Sequence, residues 1–124
     1  MTKERRVVER RKHKRFHVPI DACVALKSDC IEVGQVVDIG KGGLAFRYMP
    51  RPERSNGSIE LDIFLADRSF CLSKVPFQAV SEFRTHEIDV GPSIKRCGVK
   101  FGELTHRQIS HLEYFIQNQT TGEV

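Results

Sequence analysis

A chain of 124 residues with 40% hydrophobic and 29% charged residues suffices for one globular domain and is too apolar to stay disordered. It has no apolar run long enough to span a bilayer and no signal-peptide pattern, so a soluble, cytoplasmic protein without membrane insertion is expected. The net charge of +4 is unevenly placed: residues 1–15 hold eight basic groups against two acidic ones, and the remaining 109 hold twelve against fourteen. That makes the first fifteen residues an electrostatic attractor for a phosphate, a nucleic acid or an acidic surface.

Residues 1–10 are charged and aperiodic and read as a flexible arm. The arm extends through Arg11-Lys12-His13-Lys14-Arg15, and strand character begins at Phe16. Ile20, Ala22, Val24 and Leu26 alternate with Asp21, Cys23, Ala25 and Lys27, the period of a half-buried strand. Ser28-Asp29 turns the chain, and Ile31 to Ile39 forms a second strand with Gly34 as a candidate bulge. Gly40-Lys41-Gly42-Gly43 is the tightest turn signal, after which 44–49 returns as a third strand. Pro50 to Gly57 reads as a loop. Ile59, Leu61, Ile63 and Leu65 make a further strand, and 69–83 is extended again, with Pro76 marking a bend or an edge. A polar connection from Arg84 to Ser93 leads to a last strand, Lys95 to Phe101, with Cys97, Val99 and Phe101 on one face and Arg96 and Lys100 on the other.

One helix closes the pattern. Thr105 is an N-cap with Gln108 at the capping-box position, and Leu104 with Ile109 has the spacing of a hydrophobic staple. Ile109, Leu112, Phe115 and Ile116 supply the apolar stripe. The fold class is therefore all-β: five or six short strands in a small antiparallel barrel or sandwich, with one C-terminal helix. The expected division is a basic arm over 1–15, a globular unit over 16–119 and a frayed tail over 120–124.

Catalytic and metal chemistry find little support. No pair among Cys23, Cys30, Cys71 and Cys97 has C-x-x-C spacing. Three of them read as small strand residues, and Cys30 as the exposed one at a turn. His13 and His17 share no helix face, and His106 and His111 point apart. Gly40-Lys41 lacks the glycine at position 35 and the hydroxyl at position 42 of a phosphate loop. Nothing assembles a nucleophile, a base and an orienting group, so no enzyme, metal or cofactor is expected.

A binding site has better material. Arg11 and Arg15 are four apart, with Arg10 adjoining, and a guanidinium can fork onto two phosphate oxygens or onto guanine O6 and N7. Its flat face also stacks on a purine. Asp38 can accept hydrogen bonds from the guanine N1–H and N2 amino group. Gly40 and Gly43 let backbone approach closely and adopt φ > 0. The R-x-x-x-R of Arg11 and Arg15, followed by Asp38-x-Gly40-x-x-Gly43 where the pattern is D-x-S-x-x-G, resembles the PilZ domain, a bacterial receptor module for cyclic di-GMP (c-di-GMP). The final Gly98-Val99-Lys100-Phe101 is similar to the family's G-V-x-F ending, and the resemblance spans about residues 10–117. It implies a six-stranded barrel with a C-terminal helix, with ligand-binding residues Arg10, Arg11, Arg15, Asp38, Gly40 and Gly43. It also implies c-di-GMP as the ligand and an arm that orders on binding and signals to a protein partner in motility, attachment or exopolysaccharide control.

Gly40 stands where the family has serine. One lost neutral hydrogen bond removes about 0.5–1.5 kcal/mol, up to about tenfold in affinity. A second reading keeps the fold as a protein-interaction module without nucleotide; Gly40→Ser separates the two, because a large gain in binding marks a decayed site. A third reading is a barrel that binds nucleic acid through its basic arm, against which stand the absence of Trp and the inward alternation of most Phe residues.

Overall fold

The structure, a computed structural model, describes residues 13–26, 32–49, 59–84 and 94–124. The expected turn at 28–29, the loop 50–57, most of the 84–93 connection, Cys30, Arg10 and Arg11 lie outside these residues. The elements are β1 (Arg15–His17), β2 (Ala22–Leu26), β3 (Glu32–Gly40), β4 (Gly43–Tyr48), β5 (Glu60–Leu65), β6 (Cys71–Arg84), β7 (Lys95–Phe101), α1 (His106–Gln119) and β8 (Gly122–Glu123).

The hydrogen-bonded order β2-β5-β6-β7-β4-β3 is closed by pairing of β3 with β2, giving an antiparallel barrel of six strands. Closure removes the sheet edges that would otherwise invite aggregation. β1 and β8 are additions outside the ring. β3 makes this possible because it is nine residues long: its first half, Glu32 to Gln35, pairs with β2, and its second half, Asp38 to Gly40, pairs with β1 on the same side. β6 also divides its length, pairing with β5 on one side through Pro76 and with β7 on the other from Phe77 onward. Pro76 thus marks a handover inside the ring, not a free edge.

Alternation fills the barrel. Val24, Ile39, Leu44, Phe46, Leu61, Ile63, Val75 and Val99 are each at most 2% exposed, and every such aliphatic or aromatic side chain contributes about 1.5–3 kcal/mol by leaving water. Gly34 faces inward as well. A Cβ there would lie 2.7 Å from the Phe46 ring and 2.8 Å from the Arg47 carbonyl, so glycine is demanded by close packing. The bulge expected at Gly34 falls instead at Val37, where the β3–β4 register slips between Val36 and Asp38.

Three apolar positions that the alternation placed inside are outside. Ile20 is 86% exposed because Pro19 to Asp21 is a turn between β1 and β2, closed by a hydrogen bond from Ala22 N to the Pro19 carbonyl. Ile59 precedes β5, and Ile109 sits at the rim of the helix stripe. Cys97 is buried and Cys23 half-buried, as strand residues, and burial together with the Asp21 charge raises the Cys23 thiol above its ordinary pKa. Cys71 is exposed instead, since it faces outward at the start of β6. Asp67 caps its own turn, accepting from Ser69 N and Oγ, and those bonds lower its pKa.

The helix start follows from its sequence. Thr105 Oγ1 accepts from Gln108 N at 3.1 Å while Gln108 Oε1 accepts from Thr105 N at 3.0 Å, a complete capping box. The Gln108 amide also donates to the Ser73 and Lys74 carbonyls, tying α1 to β6. Leu112, Phe115 and Ile116 then seal onto the core, with the Phe115 and Phe70 rings 4.8 Å apart. The tail expected to fray over 120–124 does not: it forms β8 against β1. No helix among the described residues is long and apolar enough to cross a membrane.

Candidate functional site

The site begins with a displaced phase. Val36 and Ile39 both face the core although they are three residues apart, because Val37 is the extra residue of the bulge. A bulge of one residue sends every later side chain of a strand to the opposite face. Asp38 is thereby turned onto the outer wall, opposite Ala45 on β4. It is nevertheless only 4% exposed, because two arginines cover it. Arg15 Nη1 lies 2.8 Å from Oδ1, and Arg96 Nη2 lies 3.5 Å from Oδ2.

The two arginines arrive from opposite sides. β1 pairs with β3 so that Arg15 stands beside Gly40 and His17 beside Asp38. Arg96 comes from β7 across β4, over a row in which Asp38 pairs with Ala45 and Ala45 with Gly98. Small residues in that row leave no large side chain between carboxylate and guanidinium. A buried carboxylate requires such partners, since an unpaired charge there would lose its hydration without return.

Beside this clamp lies a cleft of about 590 Å³, within the roughly 300–1,000 Å³ of small-molecule sites. Arg15, His13, Lys41 and Lys100 line it, with Val80 and Leu104 as apolar side chains and the β7 segment from Val99 to Phe101 along one wall. A side cavity of about 290 Å³ shares His13, Lys41, Gly102 and Leu104 and runs on to Ile109, Leu112 and Glu113 of α1. Lys41 Nζ is 3.9 Å from the Glu113 carboxylate, but both are well exposed, so the pair is weak and Lys41 stays available. The cleft therefore offers cations over an apolar floor, suited to an anionic ligand with a flat hydrophobic part. Among the described residues no group of three His, Cys, Asp or Glu could hold a metal.

Of the residues singled out from sequence, Arg15, Asp38, Gly40 and Gly43 come together here, while Arg10 and Arg11 lie outside the described residues. Of the two roles expected of the glycines, close approach holds and positive φ does not. Neither takes a positive φ; each is needed for close approach. A Cβ on Gly43 would lie 2.1 Å from the Val99 carbonyl oxygen, and one on Gly40 would lie 2.4 Å from the Lys14 carbonyl oxygen. Gly43 thus admits β7, and Gly40 admits the root of the arm. His13, Lys41, Lys100 and Arg96 were not singled out. The outward face of Arg96 and Lys100 was readable from alternation, but only the barrel's closure brings β7 beside β4 and the glycine turn.

Comparison with known proteins gives a family and a fold. The PilZ domain family model matches residues 9–118. Among solved structures, the PilZ domain of YcgR with c-di-GMP from Escherichia coli has a TM-score of 0.71 at 15% identity, covering 90% of this chain and 92% of that one. MrkH, described as a c-di-GMP dependence transcription regulatory factor, has a TM-score of 0.69 at 13% identity. The K. pneumonia MrkH–c-di-GMP complex gives 0.68 at 14%. Each MrkH match covers 90% of this chain, which spans about half of MrkH. At these identities the likeness is one of fold. No curated protein sequence matches the chain.

Proposed function

The chain belongs to the PilZ family, and from that premise we propose that it is a receptor for c-di-GMP. The observation that carries the reading is Arg15, held by the buried carboxylate of Asp38 at the edge of a basic cleft. A guanidinium fixed in this way has little freedom left to lose when it meets a phosphate or a guanine, which favours binding. Arg11 and Arg10 would approach from the arm and close the ligand against the wall made by β3, β4 and β7. Lys41 and Lys100 would add long-range attraction for the two phosphates. Asp38 Oδ1 accepts from Arg15 and Oδ2 is ion-paired with Arg96 at 3.5 Å, but a carboxylate has about four lone-pair sites and can still accept from a guanine edge. Fixing of the arm would change the surface offered to a protein partner, the readout of a receptor with no chemistry of its own.

Isothermal titration calorimetry with c-di-GMP, with GTP as control, tests the proposal. Saturable heat with c-di-GMP and none with GTP is expected; silence with both refutes the receptor reading. One observation favours the second reading, an interaction module without ligand: the space of the motif serine is taken by the Lys14 carbonyl packed against Gly40. That reading predicts no heat and no thermal shift with c-di-GMP. Steep salt dependence toward long single strands, without selectivity for the cyclic dinucleotide, would instead indicate nucleic acid.

A further inference from the structure

Strand β8 lies past residues 9–118 that match the family, yet it is built onto the root of the arm. β1 has three residues and would otherwise hang on β3 by one short ladder. β8 gives it a second neighbour, with Phe16 opposite Glu123 and His17 opposite Gly122. Thr121 N–H donates to the His17 carbonyl and Val124 N–H to the Arg15 carbonyl, both at 2.9 Å. Thr120 Oγ1 donates to the Ile116 carbonyl at 2.6 Å, anchoring the tail on the last turn of α1. Arg15 is therefore held twice, at its backbone by Val124 and at its guanidinium by Asp38.

We infer that residues 120–124 are a latch that positions Arg15 for the ligand. None of the five lines the cleft, so the latch acts through β1 and, weakly, through the exposed 3.9 Å Lys14–Glu123 pair beside it. A binding arginine on a three-residue strand with one neighbour would sample many positions, and ordering it on binding would weaken affinity. Tail pairing supplies that order before the ligand arrives. The affinity consequence rests on the receptor reading above; the ordering of β1 does not.

The test uses the full chain with Thr121→Pro and Val124→Pro together, which delete both tail donors. Thr120 already has φ −88° and ψ 161°, a conformation compatible with a following proline. A second variant, Gly122→Ala, keeps both donors but burdens the φ of +157° at a position where a Cβ meets no atom within 4 Å. Without ligand, amide exchange of residues 15–17 is expected to quicken at least about tenfold in the proline variant and less in Gly122→Ala. With ligand, the c-di-GMP Kd should rise about three- to tenfold, and in an Arg15→Ala background the prolines should change it no further, the non-additivity of coupled groups. Unchanged exchange at 15–17 overturns the latch. So does faster exchange with an unchanged or tighter Kd, or an equal loss in the Arg15→Ala background. If the wild type binds no c-di-GMP, the receptor reading falls, and the exchange result alone decides whether the tail orders β1.

Discussion

The two sides of the cleft hold their cations by different means. On the β1 side, Arg15 is fixed by a strand ladder and a 2.8 Å contact to a carboxylate that is itself buried. On the other side, Lys41 and Lys100 stand exposed on a turn and a strand, and Lys41 has only a 3.9 Å pair with Glu113. A fixed guanidinium gives direction and selectivity, while a free ammonium gives field and encounter rate. The lesson is that three positive groups around one opening are not interchangeable, and substitutions should separate them.

The largest effect is expected at the residue that creates the difference. Asp38→Ala leaves Arg15 and Arg96 without their shared anion, but both guanidiniums retain some access to water, so about 1–3 kcal/mol of stability should be lost. Thermal denaturation should show a melting point lower by several degrees, and c-di-GMP binding should fall below detection. Next comes Arg15→Ala, expected to weaken c-di-GMP about ten- to a hundredfold, the worth of one or two charge-assisted hydrogen bonds. Arg15→Lys should fail to restore it, because an ammonium cannot fork. A rescue by lysine, read by calorimetry, would erase the distinction between the two sides.

Gly40→Ser sharpens the comparison from within the β1 side. Restoring the family's serine brings a side chain onto the Lys14 carbonyl, 2.4 Å from the added Cβ, so the root of the arm must shift. Overpacking of this kind costs about 1–3 kcal/mol. We expect a lower melting point and no gain in affinity, in contrast to the decayed-site expectation; a large gain would show that the arm root moves freely. The smallest effects belong to the lysines. Lys41→Ala and Lys100→Ala should each weaken binding about two- to fivefold at low ionic strength, and much less at about 0.5 M salt. Titrations at two salt concentrations check this, and a salt-independent loss would make either lysine a direct contact.

Much of the architecture was legible because it depends on local pattern. The capping box at Thr105 and Gln108 is satisfied within four residues, and the strands near 95–101 and 60–65 show clean alternation. Asp38 and Arg15 could be named as partners in one site from motif spacing. Their direct contact could not, because it depends on Val37 being a bulge, and nothing in Val36-Val37-Asp38-Ile39 announces one. Ile20 and Ile59 misled for a related reason: apolar residues at strand ends continue the alternation while the backbone has already turned away.

Composition and alternation by themselves determined an all-β unit with one terminal helix, and the family resemblance pointed to Arg15 and Asp38. These are short-range properties, set by side-chain period and capping over a few residues. Tertiary structure decided which strands share a wall, and so brought Arg96 over Asp38 and Lys100 beside Gly43. It also decided that Gly40 and Gly43 serve close approach instead of positive φ, and that residues 120–124 pair with β1. Each of those depends on backbone from a distant part of the chain arriving within a few ångströms, which only the closed barrel imposes.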